Sequence, residues 1–425
     1  IVPLVFLRIA LNQQRAGKCE RSAGQRQQAV GVAIRGEVRG GSDPHGQKIK
    51  VFRHGALLLR AGCKYQGENS IPLPSTRHLL RAKVVLMTRH LAIVTATLAL
   101  LLAGSASVSA QSFEDGWAAF EKGDHARAVA IWHPLAEQGD VQAQFNLGHS
   151  YASGKGVAQN SVQATRWLAK AAKQGFAEAQ NDLAAMYDSG TGVAQDYKQA
   201  AAWYRKAADQ GLAAAQFNLG NLYNDGRGVA QDYKQAAAWY RKAADQGDAK
   251  AQFNLGLLYS NGRGLAQDHT QAAAWYRKAA DKGVADAQLV LGLMYRIGVG
   301  VKISKTEAMA WIHKAADLDH LEAQIQLALA YENGDDVAQN DAKAAFWYRK
   351  AAAQGDARAH SSLGVMYATG NGVTQNLVKA AMWFKLAMEG GLPAGSSNWR
   401  RARDLLSPQG REKAEQKAEA WQRPH

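Results

Sequence analysis

Apolar residues along most of this chain recur every three or four positions, and the pattern itself recurs every 36. The stretch 213–248 reads AAAQFNLGNLYNDGRGVAQDYKQAAAWYRKAADQGD. Ala215, Leu219 and Tyr223 form one stripe at helical spacing. Asn224-Asp225-Gly226-Arg227-Gly228 breaks it, which predicts a loop. Ala236, Tyr240, Ala243 and Ala244 form a second stripe, widened by Trp239. Asp232 with Gln235 has the spacing of a capping box opening this second helix, and Gly247 stands where a left-handed residue ends one. The pair recurs as Asp196 and Gln199, as Asp268 and Gln271, and in other letters as Ser304 and Glu307. Gly220 costs about 1 kcal/mol inside a helix relative to Ala. Its place in the stripe predicts that a neighbouring helix approaches closely. Arg241, Lys242 and Asp245 fall on or near the polar side and read as a solvated face.

The Trp of the second stripe recurs from Trp167 to Trp383 at a constant spacing of 36, as do the tyrosines from Tyr151 to Tyr367 and the leucines from Leu147 to Leu363. Seven repeats therefore tile 141–392. A period between 20 and 50 marks a solenoid, propeller or array. The alternating β-branched runs of propeller blades do not occur. The expected fold is all-α, a right-handed superhelical solenoid of helix-turn-helix repeats of 36 residues. Each pair buries too little alone, so its stability comes from stacking. Residues 111–140 read as an N-terminal capping hairpin, in which Pro134 should kink or shorten the second helix. Residues 393–425 lose the pattern and read as C-terminal capping helices, with 411–422 a charged helix and Trp421 its anchor.

The front of the chain differs. Residues 87–110, MTRHLAIVTATLALLLAGSASVSA, place Arg89 before a short apolar run and small residues before Ala110. This is the pattern of a secretory signal peptide cleaved near Ala110, and the run is too short to span a bilayer comfortably. Translation is expected to begin at Met87, with residues 1–86 a disordered, non-native upstream extension. The alternative for 1–86, a basic nucleic-acid-binding arm, makes little mechanical sense ahead of an export signal. Charge agrees with a division here. The chain carries a net +15, yet residues 1–86 hold 15 Lys/Arg against 4 Asp/Glu, while 111–425 hold 35 against 32. The body is nearly neutral, so neither a nucleic-acid partner nor stable membrane insertion is expected of it. Both cysteines, Cys19 and Cys63, lie in the front segment, which leaves the body without disulfide or thiolate chemistry.

The repeated motifs resemble a known family. Ala-x-x-x-Leu-Gly-x-x-Tyr, Gly-x-Gly-Val-x-Gln-Asp and Ala-x-x-Trp-Tyr-x-Lys-Ala-Ala-x-x-Gly are similar to the Sel-one-like repeat, a relative of the tetratricopeptide repeat with a longer interhelical loop. The resemblance implies binding: adaptors, scaffolds or regulators that hold a protein partner, with exported bacterial members acting in the periplasm or at host contact. One cysteine-rich secreted branch is linked to penicillin binding and β-lactamase activity. The cysteine-free body departs from that branch.

No Ser-x-x-Lys, Gly-x-Ser-x-Gly, His-Glu-x-x-His or Cys-x-x-Cys occurs. The Gly226-x-Gly228 loop lacks the third glycine and preceding strand of a phosphate-binding turn. His125, His133 and His149 cluster in sequence, with surface or packing their ordinary fate. A catalytic site needs unlike residues converging on one point. Near-identical units instead present the same residues along an axis. The expectation is therefore a non-enzymatic, monomeric scaffold with no cofactor, catalytic residue or metal, periplasmic or secreted, that binds a protein partner of unknown identity. The rivals are a peptidoglycan-linked or β-lactam-acting hydrolase and a secreted host-interaction factor.

Function should lie where copies differ. Aligning first helices puts a variable stripe on the side that lines the concave face in tetratricopeptide grooves. Its candidate partner-binding residues are Phe145, His149, Phe217, Asn221, Phe253, Leu257, Leu289 and Arg296. Aromatic and amide groups early and aliphatic ones later suit a partner helix or extended peptide. Packing between adjacent first helices is the other reading of the same stripe. The fifth and sixth repeats depart most: Asp319 replaces a terminal Gly, Asp336 a loop Gly, and 296–305 is an apolar loop. A partner site, a bend or drift would each fit.

Overall fold

The computed structural model describes residues 112–422. The expectations for 1–86 and for the 87–110 segment lie outside these residues. Every regular element among the described residues is an α-helix, eighteen in all, and no strand occurs among them. The leading hairpin is α1 (Phe113–Glu121) and α2 (His125–Glu137). Seven pairs follow: α3 (Val141–Ser153) with α4 (Ser161–Lys173), α5 (Ala177–Ser189) with α6 (Tyr197–Asp209), α7 (Ala213–Asp225) with α8 (Tyr233–Asp245), and α9 (Ala249–Asn261) with α10 (His269–Asp281). Then come α11 (Ala285–Ile297) with α12 (Lys305–Asp317), α13 (Leu321–Asn333) with α14 (Asp341–Ala353), and α15 (Ala357–Thr369) with α16 (Leu377–Glu389). The chain closes with α17 (Pro393–Asp404) and α18 (Pro408–Gln422). From α1 to α17 each helix packs on its neighbours in sequence, as a solenoid requires.

The core lies between repeats. Ala236, Tyr240, Ala243 and Ala244 of α8 cluster with Ala251, Leu255 and Leu258 of α9 and with Trp275 of α10. The apolar face of each second helix is thus completed by the following repeat. Within a repeat, Gly220 lets α7 close on α8: a Cβ there would meet the Tyr240 ring at 2.7 Å. Between repeats, Gly228 adopts φ 71°, and a Cβ there would overlap the Tyr197 carbonyl of the preceding repeat.

The helix ends hold half of the expected capping box. Asp232 Oδ1 accepts from the Lys234 and Gln235 amides at 2.8 and 3.1 Å. The reciprocal bond from Asp232 N–H to Gln235 is not made, because that N–H donates to the Tyr223 carbonyl at 2.9 Å. Asp196, Asp268 and Ser304 donate likewise to Tyr187, Tyr259 and Tyr295, so the loop is tied back onto the end of its first helix. At the other end of α8, Gly247 N–H bonds Ala244 O and Asp248 N–H bonds Ala243 O, which is a Schellman closure. Pro134 does not shorten α2, which runs the usual 13 residues. The proline falls in the last turns, and Ala130, whose carbonyl it leaves without its usual partner, is exposed to solvent.

Two features correct the sequence reading. The polar face of α8 is not fully solvated: half-buried Arg241 donates to Tyr259 Oη and lies 5.6 Å over the Tyr259 ring and 5.8 Å from the Trp275 ring. Lys278 covers Trp275 from its own helix at 3.8 Å. At the C-terminus, α17 keeps the repeat register, since Pro393 stands 36 residues after Ala357. Arg400, however, occupies the helix-packing glycine position. α18 packs on α16 instead, with Trp421 edge-on to Trp383 at 4.9 Å.

A buried glutamine locks the junction in front of each of the first six repeats. Gln216, 4% exposed, donates to Ala208 O at the end of α6 (3.1 Å) and accepts from Gln246 of its own repeat (2.8 Å). Gln246 also donates to Gly211 O at 2.9 Å. Lys282 and Leu318 replace the capping glutamine in the fourth and fifth repeats, and there the Oε1 atoms of Gln252 and Gln288 are buried without partners. In the seventh repeat His360 replaces the buried glutamine and bonds Ala352 O at 3.1 Å through Nε2.

Restoring the missing donor with Leu318→Gln is expected to stabilise the protein by about 1 kcal/mol, measured by urea unfolding against wild type. Burial pushes the His360 pKa below its ordinary 6.5, so the folded state favours the neutral ring. The unfolded chain then takes up the proton first, and stability present above pH 6.5 is lost as pH falls through that value. The Tm of wild type is expected to drop more between about pH 7.5 and pH 5.5 than that of His360→Gln, which carries the residue used in the other repeats; equal drops would refute the assignment.

Candidate partner-binding face

The candidate residues lie on the first helices of successive repeats, and several of them meet a second helix as well. Phe145 packs edge-on to Phe176 at 5.0 Å and to His149 at 4.4 Å. His149 is exposed, with Nε2 2.9 Å from Asp182 Oδ2 of the next repeat. Phe217 and Phe253 are half-buried, with their rings 6.0 and 5.6 Å from Tyr240 and Tyr276. Asn221 Oδ1 accepts from Tyr240 Oη at 2.7 Å and from Asn254 Nδ2 at 3.3 Å. Leu289 is only 3% exposed and belongs to the core, so it offers no contact surface. Arg296 is half-buried: it donates to Gln326 Oε1 at 3.0 Å and stands 3.2 Å from Asp336 Oδ2. Burial lowers its pKa and Asp336 offsets that effect. The stripe therefore both joins adjacent first helices and faces outward.

Its open part is a groove of about 240 Å³ between the third and fourth repeats. Asn221, Asn224, Asn254 and Asn261 line it with Leu257, Tyr240 and Arg263. Burial raises the Tyr240 pKa far above the usual phenol value, so its hydroxyl remains a donor to Asn221. Farther along, Leu329 and Val365 are 38% and 43% exposed at the register of Leu257. The face thus passes from amides that hydrogen-bond to an aliphatic line. Among the described residues no three of His, Cys, Asp and Glu gather as a metal site, and no helix is long and apolar enough to cross a membrane. His125, His133 and His149 go to separate neighbours, Phe120, Trp167 and Phe145.

The two aspartates that interrupt the glycine pattern keep the glycine backbone. Asp319 and Asp336, at φ 57° and 64°, are the non-glycine residues in the left-handed region among those described. Asp336 justifies the strain by facing Arg296 and Lys305, each at 3.2 Å. Sequence reasoning saw the substitutions but not the ion cluster, since Arg296 lies 40 residues earlier. It also missed Gln216 and Arg241, whose signal was their recurrence at the same register in neighbouring repeats.

An all-helical array of stacked hairpins with an open first-helix face is an α-solenoid of the repeat-scaffold class. The chain belongs to the Sel1 repeat family, whose model matches 141–176, 177–212, 213–248, 249–284, 285–320, 321–356 and 357–392. It is similar to the crystal structure of a Sel1 repeat protein from Oxalobacter formigenes, 34% identical over 72% of this chain and 92% of that one, with a TM-score of 0.58. It is also similar to c5321, a protective antigen present in uropathogenic Escherichia coli strains displaying an SLR fold, 27% identical over 76% and 93% of the two chains, with a TM-score of 0.47. No curated protein matches it. Sel1 repeat proteins generally act as protein-interaction scaffolds, and the fold is typically a non-catalytic one.

Asp319→Gly relieves a left-handed Asp whose side chain is mostly exposed, and is expected to raise stability by up to about 1 kcal/mol. Asp336→Gly relieves the same strain but leaves Arg296 half-buried without its carboxylate. It is expected to lower stability by more than about 1 kcal/mol, so thermal unfolding of the two variants should move in opposite directions.

Proposed function

We propose that this protein is an exported scaffold or regulator of the bacterial cell envelope that holds an extended segment of a partner protein along its first-helix face. The observation that carries the reading is the groove of Asn221, Asn224, Asn254 and Asn261 leading toward exposed Leu329 and Val365. Carboxamides carry a donor and an acceptor, matching the amides of a peptide main chain. The aliphatic line then accepts alternate apolar side chains. Repetition at a fixed step suits an extended ligand, and the leader-like 87–110 segment supports an envelope location.

The test is a photo-cross-linking residue placed in the full chain at Leu257, at Leu329, or at exposed Gln235 on a second helix. The same partner adduct is expected from 257 and 329, recovered from the envelope fraction, with none from 235. An adduct from 235 alone, or a partner confined to the cytoplasm, would overturn the reading.

A further inference from the structure

The first repeat departs from its successors at one buried position. The tenth residue of the first helix is Met186, Leu222, Leu258, Met294, Ala330 and Met366 in the later repeats, and Ser150 in the first. Elsewhere this position carries an apolar side chain packed against the preceding second helix; Leu222 and Met294 are each 1% exposed. Ser150 is 2% exposed, and its Oγ has no hydrogen-bond partner among the described residues. Beside it opens a cleft of about 450 Å³, lined by Ser150, Trp117, Phe120, Trp132, His149 and Lys155 among others.

Three rings form one wall. Trp117 stacks on Phe120 with centroids 5.9 Å apart, and Trp132 lies 6.5 and 5.6 Å from the two. Trp117 is 43% exposed, an unusual share for an indole. Lys155 and the imidazole of His149 are both exposed, whereas the buried lining offers a neutral hydroxyl. A volume in this range is that of a small-ligand pocket. Its chemistry asks for a flat ring to lie on the aromatic wall and one neutral polar group to satisfy a buried serine. A charged group would have to be desolvated beside Ser150, and a purely apolar one would leave the hydroxyl unpaired.

We propose that this cleft is a binding site for the phenolic side chain of a tyrosine in a partner protein. The ring packs on Trp117 and Phe120, and its hydroxyl exchanges a hydrogen bond with Ser150 Oγ after an ordinary χ1 rotation of the serine. The site is separate from the groove between the third and fourth repeats, and stands whether or not a peptide lies there.

The full chain is titrated with N-acetyl-tyrosinamide and N-acetyl-phenylalaninamide by saturation-transfer NMR and tryptophan fluorescence. The tyrosine amide is expected to bind at least about fivefold more tightly, since a site built for a hydroxyl rejects the analogue lacking it. Ser150→Ala should remove the preference while keeping ring binding. Ser150→Leu, which installs the residue of the third and fourth repeats, should abolish binding of both amides while the Tm holds or rises. Equal affinities in wild type, no saturable binding of either amide, or binding retained in a folded Ser150→Leu protein would each overturn the proposal.

Discussion

The structure depends on a buried hydrogen bond across each repeat junction. The last turn of a second helix ends with carbonyls that have no partner in their own helix. The next first helix packs over that end and shuts out water, so an unpaired carbonyl would be costly there. The Ala208 carbonyl already accepts from the Gly211 amide at 3.0 Å; the side chain of Gln216 adds a second donor to it from the next repeat, and Gln246 in turn holds Gln216. A polar pairing inside an apolar, alanine-rich interface also specifies register: sliding one repeat on its neighbour would leave the buried Gln216 amide without this acceptor. Much of the geometry follows from that junction. The close approach at Gly220 brings the paired helices together, and the loop at Gly228 seats the next repeat on Tyr197.

The repeats vary within this frame in ways that concentrate at particular junctions. The fourth and fifth lose the glutamine that caps the network. The fifth and sixth each carry an aspartate at a glycine position, and that of the sixth faces a half-buried arginine from the fifth. Stability in such an array is nearly a sum over neighbours, so these substitutions act locally without disturbing distant repeats. The same independence lets the outward side chains diverge. Amides occupy the third and fourth first helices, aliphatics the sixth and seventh, and an aromatic cleft the first.

Much of the fold was legible because repetition multiplies weak signals. One Gly in a helix or one Trp in a stripe means little, but five such glycines and seven such tryptophans at a constant spacing leave one architecture. The helix pairs, the loop at 224–228, the glycine closures and the close approach at Gly220 could all be read this way. The box at Asp232 was half right: the sequence shows which side chains are near, not that Tyr223 has already taken the amide. Arg241 read as solvent-facing because its aromatic partners, Tyr259 and Trp275, lie in the following repeat. Along the candidate stripe, periodicity placed Leu257 and Leu289 alike, yet one lines a groove and the other is core.

The sequence by itself determined the secondary structure, the repeat unit and its number, since these follow from side-chain periodicity and backbone preferences along one segment. The tertiary structure decided which polar groups are consumed at junctions and which remain for a partner. Whether Asn221, Arg296 or Ser150 is satisfied depends on atoms 15 to 40 residues away. Residues that far apart in sequence meet only when repeats stack, and the exposure of a side chain is a property of that stacking.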